Sequence, residues 1–203
     1  MSEPIHSIHP SLWERLFQED PKDVCRRSGA LYDDATGSYV LPFLQERYHI
    51  SPRTKVFSLA SPSAVLESPS IDIRIILLTY LINAQEQPLL DKLVAGSSLK
   101  GGKCFFTGAH GFPLDPLVAQ YGRDFKGFLE RGLSLGAQQV RYGDAALQFL
   151  ALPRVPVVMV LWQGDEEFPP RLSVLFDASI ALHLPLDAIY GLVVEICRRM
   201  AGG

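Results

Sequence analysis

Apolar and polar positions alternate with different periods along this chain, and the changes of period mark its elements. In the opening segment "HPSLWERLFQEDPKDVCRRSG", Leu12, Trp13, Leu16 and Phe17 fall at helical spacing. A helix is predicted there with Ser11 as its cap, and a second follows and stops at Gly29. The next stretch, "SYVLPFLQERYHISPRTKVFSL", is rich in β-formers around Ser51 and Pro52 and predicts a hairpin. Pro42 inside its first half implies an edge strand or a bulge, because proline donates nothing to a ladder. "LASPSAVLESPS" is punctuated as a connecting loop.

"SIDIRIILLTYLINAQ" is apolar nearly all the way round, which predicts a buried central helix capped by Ser70, its length favouring that over the competing buried strand. "PLLDKLVAGSSLKGGKCFFTG" predicts a short helix, a glycine-rich turn and a strand over residues 103–107. Leu114, Leu117, Val118, Tyr121, Phe125, Phe128 and Leu129 make one apolar face of a helix predicted over residues 113–137. "AALQFLALP", "VPVVMVLW" and "RLSVLF" then predict a three-strand antiparallel meander. Residues 157–162 are apolar on both faces, the mark of a strand covered on both sides. "PLDAIYGLVVEICRRM" closes the chain as an amphipathic helix, with Arg198 and Arg199 suited to its C-terminal end. These elements predict one α+β domain over residues 1–203, with residues 1–29 as a helical N-terminal extension. The N-terminal hairpin and the C-terminal meander form an antiparallel sheet packed with helices.

Composition narrows the classes. A chain that is 47% hydrophobic and 20% charged buries a sizeable core. With a net charge of −3 it lacks the basic stripe of a nucleic-acid binder. Three widely separated cysteines, Cys25, Cys104 and Cys197, fit reduced thiols better than a disulfide framework. The start "MSEPIHSIHP" has no apolar signal region. The run at residues 75–82 is far shorter than the roughly 20 residues of a membrane helix. The expectation is a soluble cytoplasmic protein.

Few motifs carry chemistry. "GSSLKGGKC" has the wrong spacing for a phosphate loop and places Cys104 where a hydroxyl belongs, so it reads as a surface turn. His6, His9, His49, His110 and His183 form no zinc pattern. His183, just before the last helix, reads as a packing or capping residue. No GxSxG is present, and Cys104, in "KCFF", reads as a buried structural thiol. The acids Asp165, Glu166 and Glu167 lie between two apolar runs. Either they are the solvated tip of a hairpin, with Asp165 bonding the turn and Phe168 packing down, or they build a site with polar residues at strand ends. The ligand-binding candidates are Arg47, Tyr48, Arg154, Asp165, Glu167 and Asp177. Arg154, held between Pro153 and Pro156, suits an ion pair or an anionic group.

"LPFLQERYHI", "YGDAALQFLALPRVPVVMVLWQGDEEFPPRLSVLFD" and "LPLDAIYGLVVEI" together resemble a prokaryotic domain-of-unknown-function family that is frequent in anaerobes. "PRVP", "LWQGDEEFP" and "LFD" are the most specific segments. The resemblance implies a metabolic or cofactor-related role, because some members carry a cysteine-rich iron–sulfur segment and some sit near corrinoid one-carbon chemistry. This chain has no cysteine cluster to ligate such a centre. Three functions follow as expectations. The first is a module binding a small molecule or cofactor in one-carbon or redox metabolism. The second is an enzyme with an acid/base site in the 164–168 loop. The third is an interaction module for a redox, methyl-transfer or corrinoid protein. The cofactor itself is not specified by the residues.

Overall fold

Proline opens each of the first two helices, at the position where a missing backbone N–H costs nothing. The computed structural model of the protein describes residues 8–59 and 69–202, so most of the "LASPSAVLESPS" loop lies outside the described residues. Helix α1 spans Pro10–Gln18 and α2 spans Pro21–Ser28. His9, not Ser11, caps α1: its ring nitrogen accepts from the Ser11 N–H at 3.3 Å. Pro10 occupies the first helical position, which moves Ser11 inside the helix. Asp20 caps α2, and Gly29 ends it in the left-handed conformation with φ 73°.

The segment read as one hairpin holds three strands of a four-stranded antiparallel meander: β1 Leu31–Asp33, β2 Ser38–Phe43, β3 Glu46–Ser51 and β4 Val56–Leu59. The extra reversal occurs at Leu44 and Gln45, with Leu44 at φ 53°. No glycine or proline marks it. Pro42 is tolerated because β1 pairs with β2 only as far as Val40, leaving that side of Pro42 without a ladder partner.

A second antiparallel sheet follows the order β5-β9-β8-β7-β6, with β5 Leu93–Ala95, β6 Gln138–Val140, β7 Ala145–Leu152, β8 Val155–Trp162 and β9 Arg171–Asp177. Its centre is the expected meander, and residues 155–161 of β8 are buried throughout. The hairpin and the meander therefore lie in two sheets of an α+β fold. The sheets meet where the Leu44 N–H donates to the Ala151 carbonyl at 2.9 Å.

Helix α3 (Ile71–Asn83) is the expected buried helix, with the Ser70 hydroxyl accepting from Ile73 N–H at 3.4 Å. It packs against the last helix, α7 (Leu186–Met200). Three expectations change. Residues 103–107 are not a strand: α4 (Gly102–Phe105) is helical, and Cys104 is exposed. Gly101 at φ 77° and a Gly102 whose Cβ would lie 2.0 Å from the Gly96 carbonyl oxygen coil the chain tightly there. The helix expected near Leu89 is an extended run into β5, because pairing with β9 satisfies its backbone. The helix expected over residues 113–137 is two, α5 (Asp115–Tyr121) and α6 (Phe125–Ser134). Asp124 starts the second by accepting from the Gly127 N–H at 2.9 Å. One apolar core joins both sheets and the helices. No helix among the described residues is long and apolar enough to cross a membrane.

Candidate functional site

The seam between the sheets opens into a groove of about 470 Å³. Pro42 and Leu44 line it from the first sheet, Leu150 and Leu152 from β7, and Leu135 and Pro153 from the connecting segments. Gln138 adds one neutral polar side chain. Leu150 sits at the rim with 57% of its surface exposed.

The Pro153 wall is built by Arg154. Its guanidinium donates to the Arg27 carbonyl at 2.7 Å, to Arg26 at 3.1 Å and to Gln87 at 3.3 Å. Carbonyls 26 and 27 belong to the last turn of α2, which has no partners of its own within the helix. The Arg154 N–H donates to the Tyr80 hydroxyl at 3.2 Å, and that hydroxyl donates to the Ser28 carbonyl at 2.7 Å. Gly29 admits the corner: a Cβ there would lie 3.0 Å from the Pro153 Cβ. The wall is thus a hydrogen-bonded lock between α2, α3 and the β7–β8 turn.

The other residues singled out from sequence fall in three places. Arg47 stands exposed on β3, directly paired with Pro42 of the groove. Tyr48 points to the opposite, buried face, as successive strand residues must. Its hydroxyl donates to Glu46 at 2.7 Å; burial, with that carboxylate beside it, pushes its pKa up. Asp177, at the end of β9, is buried and accepts from the Leu90 N–H at 3.0 Å and from the Ser179 hydroxyl at 2.6 Å. Burial alone would raise its carboxyl, but these bonds outweigh it and hold the pKa below the ordinary value.

Asp165 and Glu167 lie in the loop that follows β8, whereas Arg154 precedes β8, so the strand's full length separates them. Asp165 closes the loop tip by accepting from the Phe168 N–H at 2.7 Å and the Glu167 N–H at 2.9 Å. Those bonds hold its carboxyl below the usual range. Phe168 is 67% exposed and does not anchor the loop. The anchor is instead Gly164, whose N–H donates to the Gly122 carbonyl at 3.1 Å, with Pro170 packed against both glycines. A more open hollow of about 540 Å³, with Asp115, Gln120 and Arg123 in its lining, lies beside Pro170. Among the described residues no group of three or more His, Cys, Asp or Glu is gathered to hold a metal.

His183 is fully buried. Its Nδ1 accepts from the Gln85 N–H at 3.3 Å, and its Nε2 has no hydrogen-bond partner among the described residues. Burial, and next the charge of Arg154, push its pKa below the ordinary 6.5, against the opposite pull of Asp177. A histidine held neutral contributes fully above pH 6.5 and loses that contribution as pH falls through its lower folded value. Protonation also removes the acceptor that Gln85 uses, worth about 1 kcal/mol. His183→Gln, which accepts without titrating, is expected to flatten the loss of stability below pH 6.5. Urea midpoints across the acid range measure it, and parallel curves for variant and wild type would refute it.

An aromatic cluster that no sequence motif announces lies between α4 and α7. Phe105 stacks on His110 at 4.8 Å, and Phe112 lies nearly parallel to Tyr190 with centroids 6.3 Å apart. The run "CFFTGAHGF" was the available signal, masked by its glycines.

A family model described as a domain of unknown function (DUF3786) matches residues 20–199, from α2 to the end of α7. No curated protein and no solved structure matches the chain.

Proposed function

Since the chain belongs to the DUF3786 family of domains of unknown function, we propose its role from its own geometry: it is a binding module for a small molecule with an apolar body, held in the groove at the seam of the two sheets. One observation carries this reading, a cavity of about 470 Å³ lined mainly by apolar side chains on a locked wall. Ligand sites typically fall at about 300–1,000 Å³ with mostly apolar linings. A rigid wall favours affinity, because little ordering remains to be done on binding. We place the role in one-carbon or redox metabolism on the sequence resemblance alone. A catalytic reading of the 164–168 loop draws less support, because Asp165 is engaged by the backbone of its own turn.

Thermal-shift measurements with medium-chain acyl compounds, quinones, flavins and haem test the reading. At a concentration near 100 Kd a ligand stabilises by about 2.7 kcal/mol, a rise of roughly 5–10 °C for a chain of this size. Leu150→Asp, at an exposed rim position, is expected to fold normally and to bind at least about tenfold more weakly, since it replaces apolar contact with a charge. A flat response to every compound, or an undiminished response in Leu150→Asp, would overturn it.

A further inference from the structure

We infer that the groove takes an aliphatic carboxylate, with the apolar chain along the seam and the carboxylate at Arg47; this rests on the reading of the groove as a small-molecule site. Pro42 lines the groove and is the direct cross-strand partner of Arg47. Directly opposed residues of an antiparallel pair share a face, with Cβ atoms about 4.5–5.5 Å apart. The Arg47 stem therefore lies along the same surface as Pro42, with its guanidinium in solvent. The Arg47 side chain makes no hydrogen bond or ion pair among the described residues.

Three other charged side chains are engaged. Arg154 is taken up by the carbonyls of Arg26, Arg27 and Gln87. Arg131 donates to the Arg199 carbonyl at 3.0 Å. Glu46, next to Arg47 in the chain, belongs to the opposite face, where it accepts from Arg199 at 2.6 Å and from Tyr48 at 2.7 Å. Outside the lining itself but beside Pro42, the charge left among the described residues is positive and forked, next to an apolar trough. That pairing matches a ligand with a carboxylate at the end of a hydrocarbon body. The single neutral amide in the lining, Gln138, offers no competing charge.

Calorimetric titration of hexanoate, octanoate and decanoate, with 1-decanol as the uncharged control, tests this on the whole chain and on Arg47→Gln. In the wild type, affinity is expected to rise about twofold to fourfold per added methylene while the trough fills. Decanoate is expected to bind about threefold to fivefold more weakly to Arg47→Gln, the scale of a solvent-exposed ion pair, and 1-decanol equally to both. The difference should close as salt rises from ~0.1 M to ~1 M, where the screening length falls from about 10 Å to about 3 Å. If decanoate and decanol bind the wild type equally well, or Arg47→Gln binds decanoate unchanged, the carboxylate assignment fails and the groove reading stands. If neither compound binds, the carboxylate assignment fails, and the groove reading is decided by the thermal-shift series.

Discussion

Exchange of Arg199 for methionine is expected to lower the unfolding free energy by about 3 kcal/mol, the low end of what breaking a buried ion pair costs. Arg199 joins α7 to the first sheet: it donates to Glu195 at 2.6 Å and to Glu46 at 2.6 Å, and its guanidinium lies over the Phe43 ring at 5.5 Å. The Glu195 side chain is only 6% exposed. Without Arg199 it keeps one cation, Arg198, which donates to both carboxylate oxygens at 3.0 and 2.9 Å but is half in solvent and so offsets only part of the buried charge. The expected loss comes from stranding that carboxylate rather than from any large net attraction. The double exchange Glu195→Leu with Arg199→Met removes both charges and is therefore expected to fall within about 1 kcal/mol of the wild type. Urea midpoints at neutral pH decide it. A single variant within about 1 kcal/mol of wild type would show the network to be unimportant, and a double variant worse than the single would show that stranding Glu195 is not the cause.

The same network sets an acid limb of stability. Burial alone would raise the Glu195 carboxyl, but the hydrogen bonds and charges of Arg198 and Arg199 outweigh burial and hold it below its ordinary 4.5. A depressed carboxyl contributes in full above that value, and the contribution disappears as pH falls through the lower folded value. Arg199→Met should accordingly lose less stability than wild type between pH 4.5 and more acid conditions.

The legible parts of this fold were those in which a segment carries its own instruction. Apolar side chains on both faces of residues 157–162 could only be a covered strand, and β8 is one. The all-round apolar run after Ser70 suited a buried helix better than a buried strand by its length, and α3 is that helix. The missed parts depend on partners distant in sequence. Leu44 reverses the chain although its residue type gives no sign, because its N–H is taken by Ala151. The helical period runs through residues 113–137 although the helix breaks, because Leu117, Tyr121 and Phe128 on both pieces reach one core. The groove was half visible for the same reason. Arg154 stood out by type and Pro42 by its place in a strand, but the groove exists only where Gly29 meets Pro153 and β2 meets β7.

Phe176→Ala is expected to have the larger effect on the fold, about 3–5 kcal/mol, the usual cost of removing a sealed aromatic from a core that cannot collapse onto the gap. Phe176 has no exposed surface and sits on β9 between Val157 of β8 and Val94 of β5. It is also the foot of an aromatic column. Its ring meets Phe112 edge-on at 6.0 Å, Phe112 meets Phe106 at 4.8 Å, and Tyr190 of α7 closes against His110 at 5.7 Å. The residues between α4 and α5 have little regular structure, so these rings are their main hold on the body. Two readouts therefore separate. Global stability should fall by the full amount in Phe176→Ala, whereas Phe112→Ala, at a half-buried position, should speed amide exchange over residues 105–112 with a smaller global loss. If Phe176→Ala lost less than about 1 kcal/mol, or Phe112→Ala left exchange in that segment unchanged, the column would be a bystander and the segment would be held by its glycine-tight backbone alone.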